Sequence, residues 1–219
     1  MSKIDWGGFF SNFLAVVLGI FITFWIQGLI DRRAEKKDVK SALALVKEEL
    51  INNKNGLQEV IDILVAEKNA AEYIRDNIRK ITPDDADTLL IHSSVLSNEY
   101  FCTITDDALE LLKTSSLFQK MGDNSLALSI IQAYDYLDMN AQAFNTHEKY
   151  KTSLFNDVNT DRVKKAALQN SGLDYLKIVY SSKESDYFLK SVIDMSDDSF
   201  LKAGLPEIDA TIAAIESRL

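Results

Sequence analysis

Residues Phe9 to Ile30 form a run of 22 without one charged side chain. About 20 apolar residues in a helix cross the hydrocarbon of a bilayer. A backbone in lipid must satisfy its own polar groups, so a helix is the conformation such a run permits. Fourteen of the residues are Phe, Leu, Ile or Val. They favour insertion by roughly 4 to 8 kcal/mol before the penalties for Asn12 and Gln27. Trp6 and Trp25 stand near the two ends like interfacial anchors. A cleaved signal peptide fits less well, because the run is too long and no A-x-A-like site follows it.

The run keeps its small and polar residues in register. Gly7, Ser11, Ala15, Gly19, Thr23 and Gln27 recur at every fourth position. In lipid, burying Leu against Leu gains little, and helices associate through close backbone approach and interhelical hydrogen bonds. Ser11, Ala15, Gly19, Thr23 and Gln27 are therefore the expected packing face of a homo-oligomer. The competing reading is chance, since Gly and Thr are common in membrane helices.

The flanks set the orientation. The amino tail has Lys3 and Asp5, whereas the other flank carries Arg32, Arg33, Lys36, Lys37 and Lys40. The positive-inside rule places this second flank in the cytoplasm. The expected layout is a short extracytoplasmic tail at 1–8, a transmembrane helix at 9–30 and a cytoplasmic remainder. The five basic residues either contact anionic headgroups or act as a stop-transfer flank alone.

From Lys36 to Ile81 a heptad pattern dominates. Leu43, Leu50, Leu57, Leu64, Ala71 and Ile78 form one seam. Val46, Asn53, Val60, Glu67, Ile74 and Ile81 form its companion, with Asn53 and Glu67 as polar exceptions. Extra apolar residues such as Leu45, Ile51 and Ile61 broaden the stripe beyond a two-stranded coiled coil. The expectation is a long helix over 31–81 that starts as a stalk, bends at Gly56, and joins with its distal part a helical bundle over 82–219. Thr82-Pro83 ends it and starts the next helix. Thr105 reads as the N-cap of one helix through Met121, and 122–125 as its break. A long helix follows from Leu126 to about Phe155, then a loop at 156–161. Shorter helices are expected at 162–169, 173–181, 184–195 and 206–219. With two prolines and eight glycines, the fold class is all-α: a transmembrane helix continuing into a long helix and a bundle.

Chemistry is sparse. The net charge is −9, and from Pro83 onward 12 basic residues face 22 acidic ones, which argues against a nucleic-acid partner. The one cysteine, Cys102, forms no intramolecular disulfide and reads as a small buried residue. His147-Glu148 is half of a zinc-protease HExxH, whose second His is missing. Asp157 to Asp161 mimics an EF-hand start but has Arg162 where Gly is needed and Leu168 where Glu is needed. The pairs Asp84-Asp85, Asp106-Asp107 and Asp197-Asp198 suit helix starts and loops. Tyr134, Tyr136, Phe144, Tyr150 and Phe155 suit a bundle core better than a ligand pocket. No catalytic residue, metal site or cofactor is expected.

Two stretches, FLAVVLGIFITFWIQGLIDRRAEKK with ALVKEELINN, and DDALELLKTSSLFQKMGDNSLALSIIQAYDYL, resemble a widespread family of bacterial single-pass membrane proteins of uncharacterised function. In the second, Ala108, Leu112, Lys113, Thr114 and Ser115 match the family pattern, and Ser116 stands where it usually has Gly. The resemblance implies a bacterial inner-membrane protein with a helical cytoplasmic domain and brings no activity. The functional expectation is a non-enzymatic, membrane-anchored homo-oligomeric scaffold or sensor that presents its acidic bundle to a cytoplasmic protein partner. The rival is a membrane-perturbing effector of a bacterial stress or phage-defence system.

Overall fold

A computed structural model describes the backbone of residues 6–158, 160–170 and 172–219. It describes the side chains of residue 18, residues 21–27, and those from 31 onward other than 159, 167 and 171. Among the described residues the fold is all-helical, with no strand. Helix α1 spans Trp6–Asn77, 72 residues and so about 108 Å at 1.5 Å per residue. A 3-10 turn at Pro83–Asp85 leads into α2 (Ala86–Ser97), followed by α3 (Asp107–Thr114), α4 (Leu117–Met121) and α5 (Asn124–Val158). The chain ends in α6 (Asp161–Gln169), α7 (Gly172–Tyr180), α8 (Lys183–Met195), α9 (Ser199–Ala203) and α10 (Leu205–Glu216).

Helix α1 is the spine, and α2, α3, α4, α5, α8, α9 and α10 all pack on it. Every seam position from Leu43 to Ile81 is buried, including Asn53 and Glu67. Helix α5 runs beside α1 in the same direction: Glu49 meets Tyr134 near the start and Glu67 meets Lys151 further on. Helix α10 runs back along α1, with Lys54 on Asp209 and Lys47 on Glu216.

Two apolar cores line the spine. The first gathers Leu43, Leu50, Leu57 and Leu64 with Leu112, Ile130, Leu137, Phe144, Ile208 and Ile215. The second gathers Ala71, Ile74 and Ile78 with Leu89, Leu96, Val158, Phe188 and Val192. On α1 the boundary between them falls between Leu64 and Ala70, and on α5 between Phe144 and Leu154.

Several local expectations are corrected. Helix α1 is continuous through Gly56. The broad stripe engages the bundle from Ala42, not only in its distal part. Thr105 is not the cap of α3; Asp106 holds that position, because Asn53 binds both the backbone N–H and the carbonyl of Thr105. The expected single helix to Met121 is broken at Ser116, which adopts the left-handed conformation at φ 58°. Helix α5 continues to Val158, through the start of the expected loop. Asp198 precedes an extra short helix, α9, that no periodicity announced.

Among the described residues no helix is long and apolar enough to cross a membrane. Of the apolar run Phe9 to Ile30, the side chains of 9–17, 19, 20 and 28–30 lie outside the described residues.

Candidate functional site

Two features stand apart from ordinary bundle packing: the exposed amino-terminal part of α1, and a buried ionic cluster between the two cores.

On α1, Leu18, Phe21, Ile22, Phe24, Trp25 and Ile26 are 47% to 72% exposed. One helix thus changes character along its length, from apolar side chains held outside any core to the buried seam that starts at Leu43. Of the expected packing face, Thr23 and Gln27 are exposed, while the side chains of Ser11, Ala15 and Gly19 lie outside the described residues. Arg32, Arg33, Lys36, Lys37 and Lys40 are exposed between the apolar segment and the bundle. Lys40 donates to the Leu219 carbonyl at 2.5 Å, and Glu35 pairs with Lys120 at 3.3 Å, so the ends of α10 and α4 lie beside this basic stretch.

The ionic cluster contains Glu67 of α1 with His147, Glu148 and Lys151 of α5. Glu67 and Glu148 are fully buried, Lys151 is 1% exposed and His147 11%. The Lys151 ammonium donates to Glu67 Oε1, to Glu148 Oε2 at 2.7 Å and to the Asn98 carbonyl at 2.8 Å. Its charge also lies 5.2 Å from the Tyr100 ring centre. The Tyr100 N–H donates to Glu148 Oε2 at 2.9 Å. The other carboxylate oxygens face the imidazole. His147 Nε2 lies 3.0 Å from Glu67 Oε2 and 3.8 Å from Glu148 Oε1. Glu148 Oε1 is buried and has no hydrogen-bond partner among the described residues.

Helix geometry explains the gathering. His147 and Lys151 are four apart and Glu148 and Lys151 three apart, the spacings that share a helix face. Glu67 meets that face from a seam position of α1. The segment between α2 and α3 closes the ring with Asn98 and Tyr100. Three of the four strips of chain that cross from one core to the other therefore pass through this cluster; the fourth, between Val192 and Leu201, gives it no residue.

The two carboxylates are driven apart electrostatically. Burial works to raise the Glu67 carboxyl, but hydrogen bonding to His147 and the Lys151 ammonium outweigh it and hold it below the usual range. Burial pushes Glu148 up, and the Glu67 charge adds to this; Lys151 and the Tyr100 N–H pull it back only in part. The cluster holds the Lys151 ammonium between two buried carboxylates, with the imidazole on their far side.

The remaining candidates are structural. Asn145 pairs with the backbone of buried Cys102 through both its amide atoms, and burial raises the thiol. His92 stacks on Tyr73 with ring centres 4.3 Å apart. Asp85 accepts from the Thr82 N–H and hydroxyl, and Asp197 from the Ser199 N–H, as capping residues do. Thr160 caps α6; Asn159 of the EF-hand-like stretch lies outside the described residues. Of the aromatic set, Tyr134 and Phe144 are buried, Tyr136 and Phe155 half-buried, and Tyr150 exposed. Tyr134 donates to Glu49 at 2.5 Å, and Glu49 in turn accepts from the Ala108 N–H at the start of α3.

Reading the sequence missed the ionic cluster. The signal was present in part: Glu67 was a polar residue on an apolar seam, and Glu148 and Lys151 continue the buried track of Leu137, Ala141 and Phe144 on α5. What the chain alone did not supply was the register that sets α1 against α5. No protein-family model matches this chain, and no curated protein or solved structure matches it.

Proposed function

We propose that this chain is a non-enzymatic, membrane-anchored helical module that assembles with copies of itself and presents its acidic bundle to a protein partner. The observation that carries the reading is the change of character along α1. The large apolar side chains of Leu18, Phe21, Ile22, Phe24, Trp25 and Ile26 project from the helix without entering a core, and an apolar patch of this kind needs a cover. Lipid suits it because the surrounding run from Phe9 to Ile30 is uncharged and is followed at once by Arg32, Arg33, Lys36, Lys37 and Lys40. The same helix then becomes the spine of the bundle. A displacement or rotation at the bilayer would reach both cores through one rigid element. On this reading the bundle is cytoplasmic and the tail at 1–8 lies outside, as in a bacterial inner membrane.

The test is fractionation of bacteria expressing the full chain with a reporter after Leu219. The chain should stay with membranes through an alkaline carbonate wash, and a reporter active only in the cytoplasm should be active. Release by the wash overturns the anchor, and activity of a periplasm-only reporter overturns the orientation. Dye entry or loss of membrane potential on expression would favour the rival, a bilayer-perturbing effector, over a scaffold.

A further inference from the structure

We infer that Glu67, His147 and Glu148 form a binding site for a first-row divalent metal ion of the Zn(II) class at the junction of the two cores. The nearest ligand atoms of the three side chains all lie within 4.8 Å of one another. Two of the spacings, 3.0 Å from His147 Nε2 to Glu67 Oε2 and 3.8 Å to Glu148 Oε1, bracket what tetrahedral coordination requires. Ligands about 2.0 to 2.2 Å from zinc stand roughly 3.3 to 3.6 Å apart.

Lys151 does not occupy this position. It binds Glu67 Oε1 and Glu148 Oε2, whereas the oxygens that face His147 are Glu67 Oε2 and Glu148 Oε1. Each carboxylate thus turns one oxygen to the ammonium and the other to the site. Second-sphere partners of this kind fix the orientation of a ligating group. Glu148 Oε1 is the independent sign of a missing partner: it is buried, aimed at the imidazole and without a hydrogen bond among the described residues. Leaving such an atom unmet is costly, and an ion between it and His147 Nε2 would satisfy it.

The donor set selects the ion. One nitrogen and two carboxylate oxygens suit zinc and its neighbours. Calcium wants six to eight oxygens at longer distances. Binding needs the neutral imidazole tautomer with its proton on Nδ1. Three protein ligands leave a fourth position for water, and His147 is the one ligand in contact with solvent. Lys151 opposes the ion from the far oxygens, so the expected affinity is micromolar. Bound there, the ion ties α1 to α5 where the cores meet, and it raises stability by mass action.

The test is calorimetric titration of the chelator-stripped full chain with zinc chloride. The expected result is one Zn(II) per chain with micromolar Kd. His147→Ala and Glu148→Gln should each weaken binding at least about ten-fold, and His92→Ala should leave it unchanged. Circular dichroism establishes that each variant is folded. No zinc uptake by the folded wild-type chain overturns the site. So does undiminished binding in folded His147→Ala, which would put the ion on surface carboxylates. Neither outcome depends on the membrane reading.

Discussion

Glu67 and Lys151 form an ion pair between α1 and α5 in which neither side chain is more than 1% exposed. Its strength lies less in what it adds than in what its disruption leaves behind. Removing one partner strands a charge in the interior, which typically costs about 3 to 5 kcal/mol. Lys151→Met leaves Glu67 and Glu148 facing each other without their shared cation, so denaturant unfolding of the full chain should show a loss of that size. Glu67→Gln combined with Lys151→Met should lose less than the two single losses added together. Additive losses would mean that the two groups do not interact.

The backbone makes predictions of opposite sign at three positions. Ser116 holds φ at 58°, a conformation that costs an L-residue about 1 to 2 kcal/mol. Ser116→Gly removes that cost but adds freedom to the unfolded chain, so a net gain of about 0.5 to 1 kcal/mol is expected. Gly56 lies inside α1, and a Cβ there meets nothing within 4 Å. Gly56→Ala should therefore stabilise by about 0.5 to 1 kcal/mol through helix propensity. Gly204 is the contrary case. A Cβ there would fall 2.3 Å from the Tyr136 ring, which is fixed because its hydroxyl accepts from the Gly204 N–H and donates to the Phe200 or Leu201 carbonyl. Gly204→Ala should cost about 1 to 3 kcal/mol by overpacking. Thermal unfolding of the three variants checks all three signs.

The spine was legible in the sequence because its period survives in a single element. Each apolar seam residue from Leu43 to Ile81 is buried, and a seven-residue repeat requires only that one side of the helix be covered. The polar exceptions were legible as exceptions but not as sites. Asn53 turns out to clamp the Thr105 backbone, and Glu67 to anchor the ionic cluster. Their partners are distant in the chain, and nothing local encodes that distance. The break at Ser116 was missed for another reason. A serine at a left-handed position carries no signal of its own, although the resembled pattern has Gly there. The failed cap at Thr105 has the same origin as the Asn53 clamp: a tertiary hydrogen bond took the residue that local propensity had assigned to the helix end.

Alkaline stability follows from Tyr180. It is buried, its hydroxyl lies 3.0 Å from the Ser93 hydroxyl, and burial pushes its pKa up to about 12 despite that hydrogen bond. An unfolded tyrosine ionises near 10. Between about pH 10 and 12 the folded chain holds a proton that the unfolded chain has released, so stability falls as pH rises through that window. Tyr134, raised by burial and by its bond to Glu49, acts in the same direction. Tyr180→Phe should flatten part of the decline while removing the Ser93 contact at every pH. An identical slope of unfolding free energy against pH in wild type and variant would show that Tyr180 is not ionising in the unfolded chain alone.

The assembly proposal turns on the four-residue spacing of Ser11, Ala15, Gly19, Thr23 and Gln27. On a straight helix that row drifts by roughly 40° per step, from 3.6 residues per turn. One partner helix follows all of it only if the pair crosses with right-handed twist, and otherwise several helices share the contact. Small residues let backbones approach, and Thr23 and Gln27 supply hydroxyl and amide groups for hydrogen bonds between copies. Thr23 and Gln27 are exposed, and packing on the first core begins further along the helix, at Val39. Gly19→Ile places a branched side chain at the centre of the row and should reduce the oligomer captured by crosslinking in native membranes. Ile20→Leu conserves volume one position away from the row, and it should leave the oligomer unchanged. Equal crosslinking in wild type and Gly19→Ile, with both chains still in the membrane fraction, would show that copies meet through another surface.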